Sequence, residues 1–418
     1  MPFLIYLFPF FGLFLGVKYF FQKHYHYGLL FFGFCYGYTV YFYSGDVIRY
    51  RDDFAMLVEY SVDDYFQLLQ HLANDRLKFV GISINAYNSK PDVFALTLGF
   101  LVSRFTENPR WFFAMVSLIY VFLQIKFFEE VVRFTGKVNS KGWKLFFAAL
   151  VLMVPFYVGV TGVRFWPALF VFAWMLMKYI NTGNKKYLFF TTFSILFHYT
   201  FIFPVVVAFA ASFLRLNRYV FKILIIIGIG FALLSSTTSS LDFITKAITV
   251  FESDSVTNAT SGYLDEEQLA KRVVKVEATN WYVQWRTHLL NVFFILFFIF
   301  DFFNLNKWNK VLVNPIFDKM YQFFFLITLF TFNLGSMGRF VYVFYLLILL
   351  RIIQIQTLDC NQKLKKWNYY FIPILALHVI VTFRAGFYTI DPLLLISPSI
   401  ALFFVESERS LSEFLIGH

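Results

Sequence analysis

Charge and cysteine are both scarce in this chain. Of its 418 residues 15% are charged, and only two are cysteine, Cys35 and Cys360. So few thiols exclude a disulfide framework and a thiolate metal site. No His-Glu-x-x-His, spaced Asp-x-Asp pair, phosphate-cradling glycine loop or Gly-x-Ser-x-Gly turn occurs. The commonest metalloprotease, P-loop and serine-hydrolase chemistries are thereby removed, and the reading calls for no metal and no cofactor. An internal repeat, a low-complexity linker and a soluble catalytic domain are also missing.

Apolar surface is what the chain has in abundance. It is 59% hydrophobic, carries 62 phenylalanines and has a mean hydropathy of +0.64. Such a composition belongs to a polytopic membrane protein rather than a globular one. Long apolar runs recur, each near the roughly 20 residues that span a bilayer as a helix, whereas a β-barrel would show short alternating segments. The net charge of +11 lies mostly in short turns between those runs. This is the positive-inside pattern, so the expected partner is the lipid bilayer and not nucleic acid. The first apolar run has no small-residue cleavage site and reads as a retained span.

The expectation is an all-α polytopic membrane protein, a single transmembrane domain over 1–418 with about 12 to 14 helices. Two larger outer-face loops are expected, 44–92 with short helices and 235–285, each with an excess of acidic residues. Val93–Phe105 is apolar but only about 13 residues long, which suits an interfacial or re-entrant helix. Asp46 and Arg164 share the outer face only if that segment fails to cross. Leu145–Val160 leads out to Arg164, and Phe165–Tyr179 returns to a basic turn with Lys178, Lys185 and Lys186. Tyr187–Phe197 and Phe201–Leu214 form a short pair turning at His198–Thr200, and Leu393–Val405 closes the set.

An ionisable group at the edge of a hydrocarbon span is costly to keep and marks a pathway, a ligand contact or a charge partner. The outer-face set is Asp46, Arg49, Arg164, His198, Arg286, Arg339 and Arg384. Arginine stays protonated and presents a fork matched to phosphate oxygens, so several at one depth suit a diphosphate. The plainer account of each is a snorkelling anchor, or for Asp46 and Arg49 a solvated local pair. Asp46, Arg49 and Tyr50 share one face if Gly45 starts a helix. Trp281, Trp285 and His288 fall on one helical stripe, with Tyr282 and Arg286 on the next. Arg339, Tyr342 and Tyr345 form a similar stripe. Aromatic faces with polar edges suit sugar rings, and they also build the interfacial belt of any membrane protein.

The ordered set of short motifs resembles the EpsG-like branch of the Wzy-type polysaccharide polymerases. The elements that carry the resemblance are Ser44-Gly45-Asp46 with Tyr50, Lys90-Pro91-Asp92-Val93-Phe94 and Gly162-Val163-Arg164. Lys186-Tyr187-Leu188-Phe189 running to Leu196-Phe197-His198-Tyr199, and Gly338-Arg339-Phe340 with Tyr345, continue it. The resemblance implies a GT-C-like glycosyltransferase of the bacterial inner membrane, multi-pass, with its site facing the periplasm. Its substrates would be undecaprenyl-diphosphate-linked glycans, and its pathway partners a flippase and a chain-length regulator. Joined to the residues, Arg164, Arg339 and Arg286 would hold the departing diphosphate. His198 or Asp46 would take the acceptor hydroxyl proton, and Arg49, Tyr50, Tyr342, Trp281 and Trp285 would contact substrate. The competing readings are a flippase or exporter of lipid-linked oligosaccharide, and a membrane O-acyltransferase that would use His198.

Overall fold

The computed structural model describes residues 6–23, 26–41, 46–77, 92–135, 162–214, 217–234, 281–308, 314–331, 339–357, 362–405 and 409–416. Among the described residues every regular element is a helix. In chain order these are α1 (Pro9–Lys18), α2 (His26–Tyr38), α3 (Asp46–Glu59), α4 (Val62–Leu77), α5 (Val93–Ser103) and α6 (Arg110–Thr135). They continue with α7 (Phe165–Thr182), α8 (Lys185–Phe190), α9 (Ser194–Phe197), α10 (Ile202–Phe213), α11 (Arg218–Leu234) and α12 (Trp281–Trp308). The last are α13 (Pro315–Thr331), α14 (Val341–Thr357), α15 (Gln362–Gly386), α16 (Leu393–Ile396) and α17 (Leu411–Ile416).

Two compact units divide the chain. The first comprises Met1–Tyr65, Pro91–Phe201 and Leu375–His418, and the second Phe66–Lys90 with Ile202–Ile374. In the first, α6 is the central element, flanked by α2 and α7. Phe113, Ala114, Val116 and Tyr120 of α6 are fully buried there. Gly37 lets α2 approach α6 closely. A Cβ built on it would lie 2.8 Å from Ala114 Cα and nearer still to the Phe113 carbonyl oxygen, so backbone itself would have to move. We therefore expect Gly37→Ala to cost about 1–3 kcal/mol. Thermal unfolding of the detergent-purified protein would show this as a lower midpoint, and an unchanged midpoint would mean that the helices can part freely.

In the second unit α13 packs against α10, α11 and α14. Its centre is aromatic, with Phe298 stacked on Phe325 at 3.5 Å between ring centroids. A buried ionic cluster crosses it. The guanidinium of Arg351 donates from Nε to Asp301 Oδ2 at 2.9 Å and from Nη1 to Asp318 Oδ1 at 3.4 Å. The cluster therefore ties α12, α13 and α14 together.

Several expected spans change shape. One described helix, α6, is long and apolar enough to cross a membrane, and seven further apolar helices are shorter. Leu393–Val405 is not one span: α16 ends after four residues, and Ser397 turns extended at φ −92°, ψ 148°. Pro398 explains this, because its ring disfavours α geometry at the residue before it. Within the loop expected over 235–285, α12 already begins at Trp281. Leu145–Val160, the basic stretch through Lys137, Lys141 and Lys144, and most of the second outer loop lie outside the described residues.

The segment expected as the first outer loop carries α3 and α4, with a reciprocal cap between them. Ser61 donates its N–H and hydroxyl to Asp64, and Asp64 N–H donates back to Ser61 Oγ. Those donors, the hydroxyl foremost, hold the Asp64 carboxyl below the usual carboxylate range. The same junction is fastened from the α3 side by Arg104. Its guanidinium donates to the carbonyls of Leu57, Val58 and Tyr60 at 2.6, 3.1 and 2.8 Å, closing the C-terminus of α3. Arg104 thus pins the end of α3 beside α5, and Tyr65 of α4, stacked on Phe100 at 4.2 Å, pins the start of α4 there too.

Candidate active site

Three chain breaks meet in the first unit. Asp92 stands at the N-cap of α5, Arg164 at the N-cap of α7, and His198 between α9 and the short 3₁₀ turn Tyr199–Phe201. His198 is extended, φ −154° and ψ 114°, which interrupts the helix. At 11 residues α5 is roughly 16 Å long, about half the hydrocarbon thickness. It is too short to cross, as its sequence suggests.

Asp92 is fully buried and holds the site together. Its Oδ2 lies 2.8 Å from His198 Nδ1 and 3.5 Å from Arg164 Nη1, while Oδ1 accepts the Tyr199 N–H at 3.2 Å. An aspartate at an N-cap ordinarily bonds the amides of its own helix, which is worth about 1 kcal/mol. Here the side chain makes no such bond. The carboxylate is directed instead at two groups more than seventy residues away in sequence. A residue that forgoes its local bond is held for something else.

Arg164 follows the fully buried Val163 and starts α7, whose C-terminus is closed by Gly183 in the left-handed region at φ 66°. That cap aligns α7, and Asn181 at its far end donates to the Glu130 carbonyl of α6 at 2.9 Å. His198 is packed edge-on against Phe165, 6.2 Å between centroids, and lies beside Phe201 and Tyr199. Tyr50, 6% exposed, lies 5.9 Å from the Arg164 guanidinium and 5.0 Å from that of Arg49. Both distances are within cation–π range. One guanidinium, that of Arg164, faces the buried carboxylate, and that of Arg49 lies against the same Tyr50 ring. The arrangement sets a guanidinium and an imidazole on one buried carboxylate oxygen.

Of the residues picked out by sequence, the first unit thus gathers Arg49, Tyr50, Arg164 and His198. Asp46 opens α3, so Arg49 and Tyr50 do follow it on one helical face. The side chains of Asp46, Trp281 and Arg286 lie outside the described residues. Arg339, Tyr342 and Trp285 belong to the second unit. Arg339 is exposed, Trp285 is 55% exposed, and Tyr342 meets Tyr345 edge-on at 5.4 Å. Tyr345 is buried and donates its hydroxyl to Asn291, so it is a core contact. Sequence reasoning left Asp92 out of the site. The signal was present: a carboxylate after proline, at the very start of an apolar run too short to span.

The architecture and site define an all-helical protein with apolar helices, in which ionisable groups gather at helix ends around a buried carboxylate. The sequence model of the EpsG family matches residues 46–393, and the chain belongs to that family. EpsG proteins are membrane polymerases of polysaccharide, glycosyltransferase-type enzymes. The match begins at Asp46 and includes Arg49, Tyr50, Asp92, Arg164, His198 and Arg339. Neither a curated protein nor a solved structure matches the chain.

Proposed function

We propose that this protein is a bacterial inner-membrane glycosyltransferase that joins undecaprenyl-diphosphate-linked repeat units at the periplasmic face. The chain crosses the membrane about 12 to 14 times in a GT-C-like arrangement. A flippase supplies the units, and a chain-length regulator limits the product. The observation that carries this reading is the cluster of Arg49, Tyr50 and Arg164 around Asp92 and His198.

In the reaction an acceptor sugar hydroxyl attacks the anomeric carbon of the donor glycan. The bond from that carbon to the diphosphate oxygen breaks, and its electron pair leaves with the diphosphate. Arg164 and Arg49 are the cations nearest this event, and their forks suit phosphate oxygens. Fixed guanidinium groups stabilise the charge as it develops, without reorganisation at the moment of reaction. Tyr50 orients both. His198 or Asp46 accepts the hydroxyl proton. Arg339, Arg286, Tyr342, Trp281 and Trp285 serve glycan or diphosphate binding.

Deleting the gene and resolving surface polysaccharide on a gel tests this. Single repeat units at the surface in place of a ladder, restored by the wild-type gene, are the expected result. A strain in which no repeat unit reaches the surface would make the protein an exporter of lipid-linked glycan instead.

A further inference from the structure

The site leaves two groups competing for the proton, and the geometry around Asp92 separates them. We infer that Asp92 is a positioning residue that fixes His198 as the general base, with Nδ1 protonated toward the carboxylate and Nε2 presented to the acceptor hydroxyl. This rests on the glycosyl-transfer reading above and names the base within it.

Asp92 Oδ2 is 2.8 Å from His198 Nδ1, a hydrogen-bond distance, and an ionised carboxylate can only accept. With the carboxylate as acceptor Nδ1 carries the hydrogen, and in the neutral imidazole Nε2 is then the ring nitrogen with a lone pair. Which nitrogen is basic is set by the bond that the other one makes. A base oriented in turn by a third group is the arrangement that activates hydroxyl nucleophiles. The carboxylate is itself fixed. It is fully buried, and the Tyr199 N–H reaches Oδ1 at 3.2 Å. Because Tyr199 follows His198 directly, Asp92 grips both the ring and the backbone at this break.

Among the described residues, Asp92 from the start of α5 and Tyr199 next in chain face the imidazole, and Arg164 from the start of α7 joins it through the shared carboxylate. Arg164 shares Oδ2 with His198, so one carboxylate oxygen sets the spacing between the imidazole and the cation nearest the leaving group. In the step, the acceptor O–H proton passes to Nε2 while the oxygen forms its bond to the anomeric carbon. The imidazolium is then balanced by Asp92, and the departing diphosphate by Arg164.

The test uses the full-length protein in lipid nanodiscs and repeat units extracted from the deletion strain. Asp92→Asn keeps an acceptor for Tyr199 N–H but can donate to Nδ1, which favours the other tautomer. We expect it to lower kcat by about 10²–10⁴-fold with KM changed less than about threefold. Asp92→Glu should recover part of the rate, and added imidazole should partly rescue His198→Ala. Nitrogen NMR of ¹⁵N-histidine-labelled protein, assigned by the resonances lost in His198→Ala, should show Nδ1–H in the wild type and Nε2–H in Asp92→Asn. Wild-type kcat in Asp92→Asn, an Nε2–H tautomer in the wild type, or a rise in KM with kcat unchanged would each overturn the inference. A wild-type protein that polymerises nothing while showing the Nδ1–H tautomer would instead overturn glycosyl transfer, and with it the general-base role.

Discussion

Alanine at Arg164 is expected to lower kcat by about 10²–10³-fold, the cost typical of removing one fixed donor to a developing oxyanion. Two effects combine at this position. The guanidinium 5.9 Å from Tyr50 is lost as a partner for the leaving diphosphate, and Asp92 loses the cation 3.5 Å from its Oδ2. Arg164→Lys retains the charge without the planar fork and should fall between alanine and wild type. Arg49→Ala removes the second cation beside Tyr50 but leaves the Asp92 pairings in place, so its loss should fall more on KM. The measurement is polymer formed per unit time by nanodisc-embedded protein, with each variant first passed through size exclusion to establish that it folds. Folded Arg164→Ala working within about fivefold of wild type would remove this residue from transition-state stabilisation, given the expected cost.

Loss of Arg351 should be the most damaging single change to folding. Arg351 and Asp301 are both fully buried, and Asp318 is only 19% exposed. Removing one partner of a buried pair strands the other charge, at a cost of about 3–5 kcal/mol. In Arg351→Ala two carboxylates on neighbouring helices would face each other with no cation between them. Replacing the whole set by groups of similar size, as in Arg351→Met with Asp301→Asn and Asp318→Asn, removes the charges together and should restore much of the folded yield. Fluorescence-detected size exclusion of solubilised membranes reads this directly. An Arg351→Ala protein as abundant and as monodisperse as wild type would mean that the cluster adds nothing to assembly. The comparison also separates the two regions, because Arg351 belongs to the second unit and Arg164 to the first.

Much of this was legible in the residues. The apolar runs give the helices, and the break expected at His198–Thr200 is present, with His198 extended between two helical turns. The shortness of Val93–Phe105 foretold α5. Arg49, Tyr50, Arg164 and His198 were all singled out by residue type and place. Less legible were helix ends. Leu393–Val405 has the hydropathy of a span, yet Pro398 stops it after α16, a local steric effect that an average over the run conceals. Trp281 and Trp285 fall within the range read as a loop, yet their helical stripe points to the first turns of α12, where they lie.

The sequence by itself determined the class of protein, because apolar surface on this scale must be buried in lipid or in other helices and backbone polar groups must then be paired within each helix. It also determined the ends of α7 and α16, since Gly183 and Pro398 act through their own backbone geometry. Only the tertiary structure decided which charges meet. Asp92 and His198 are 106 residues apart, and Asp301 and Arg351 are 50 apart. Both acidic residues look locally like ordinary helix-end groups. Burial converts them, because a charge removed from water must find its partner within a few ångströms. Helix packing, rather than the order of residues along the chain, brings that partner within reach.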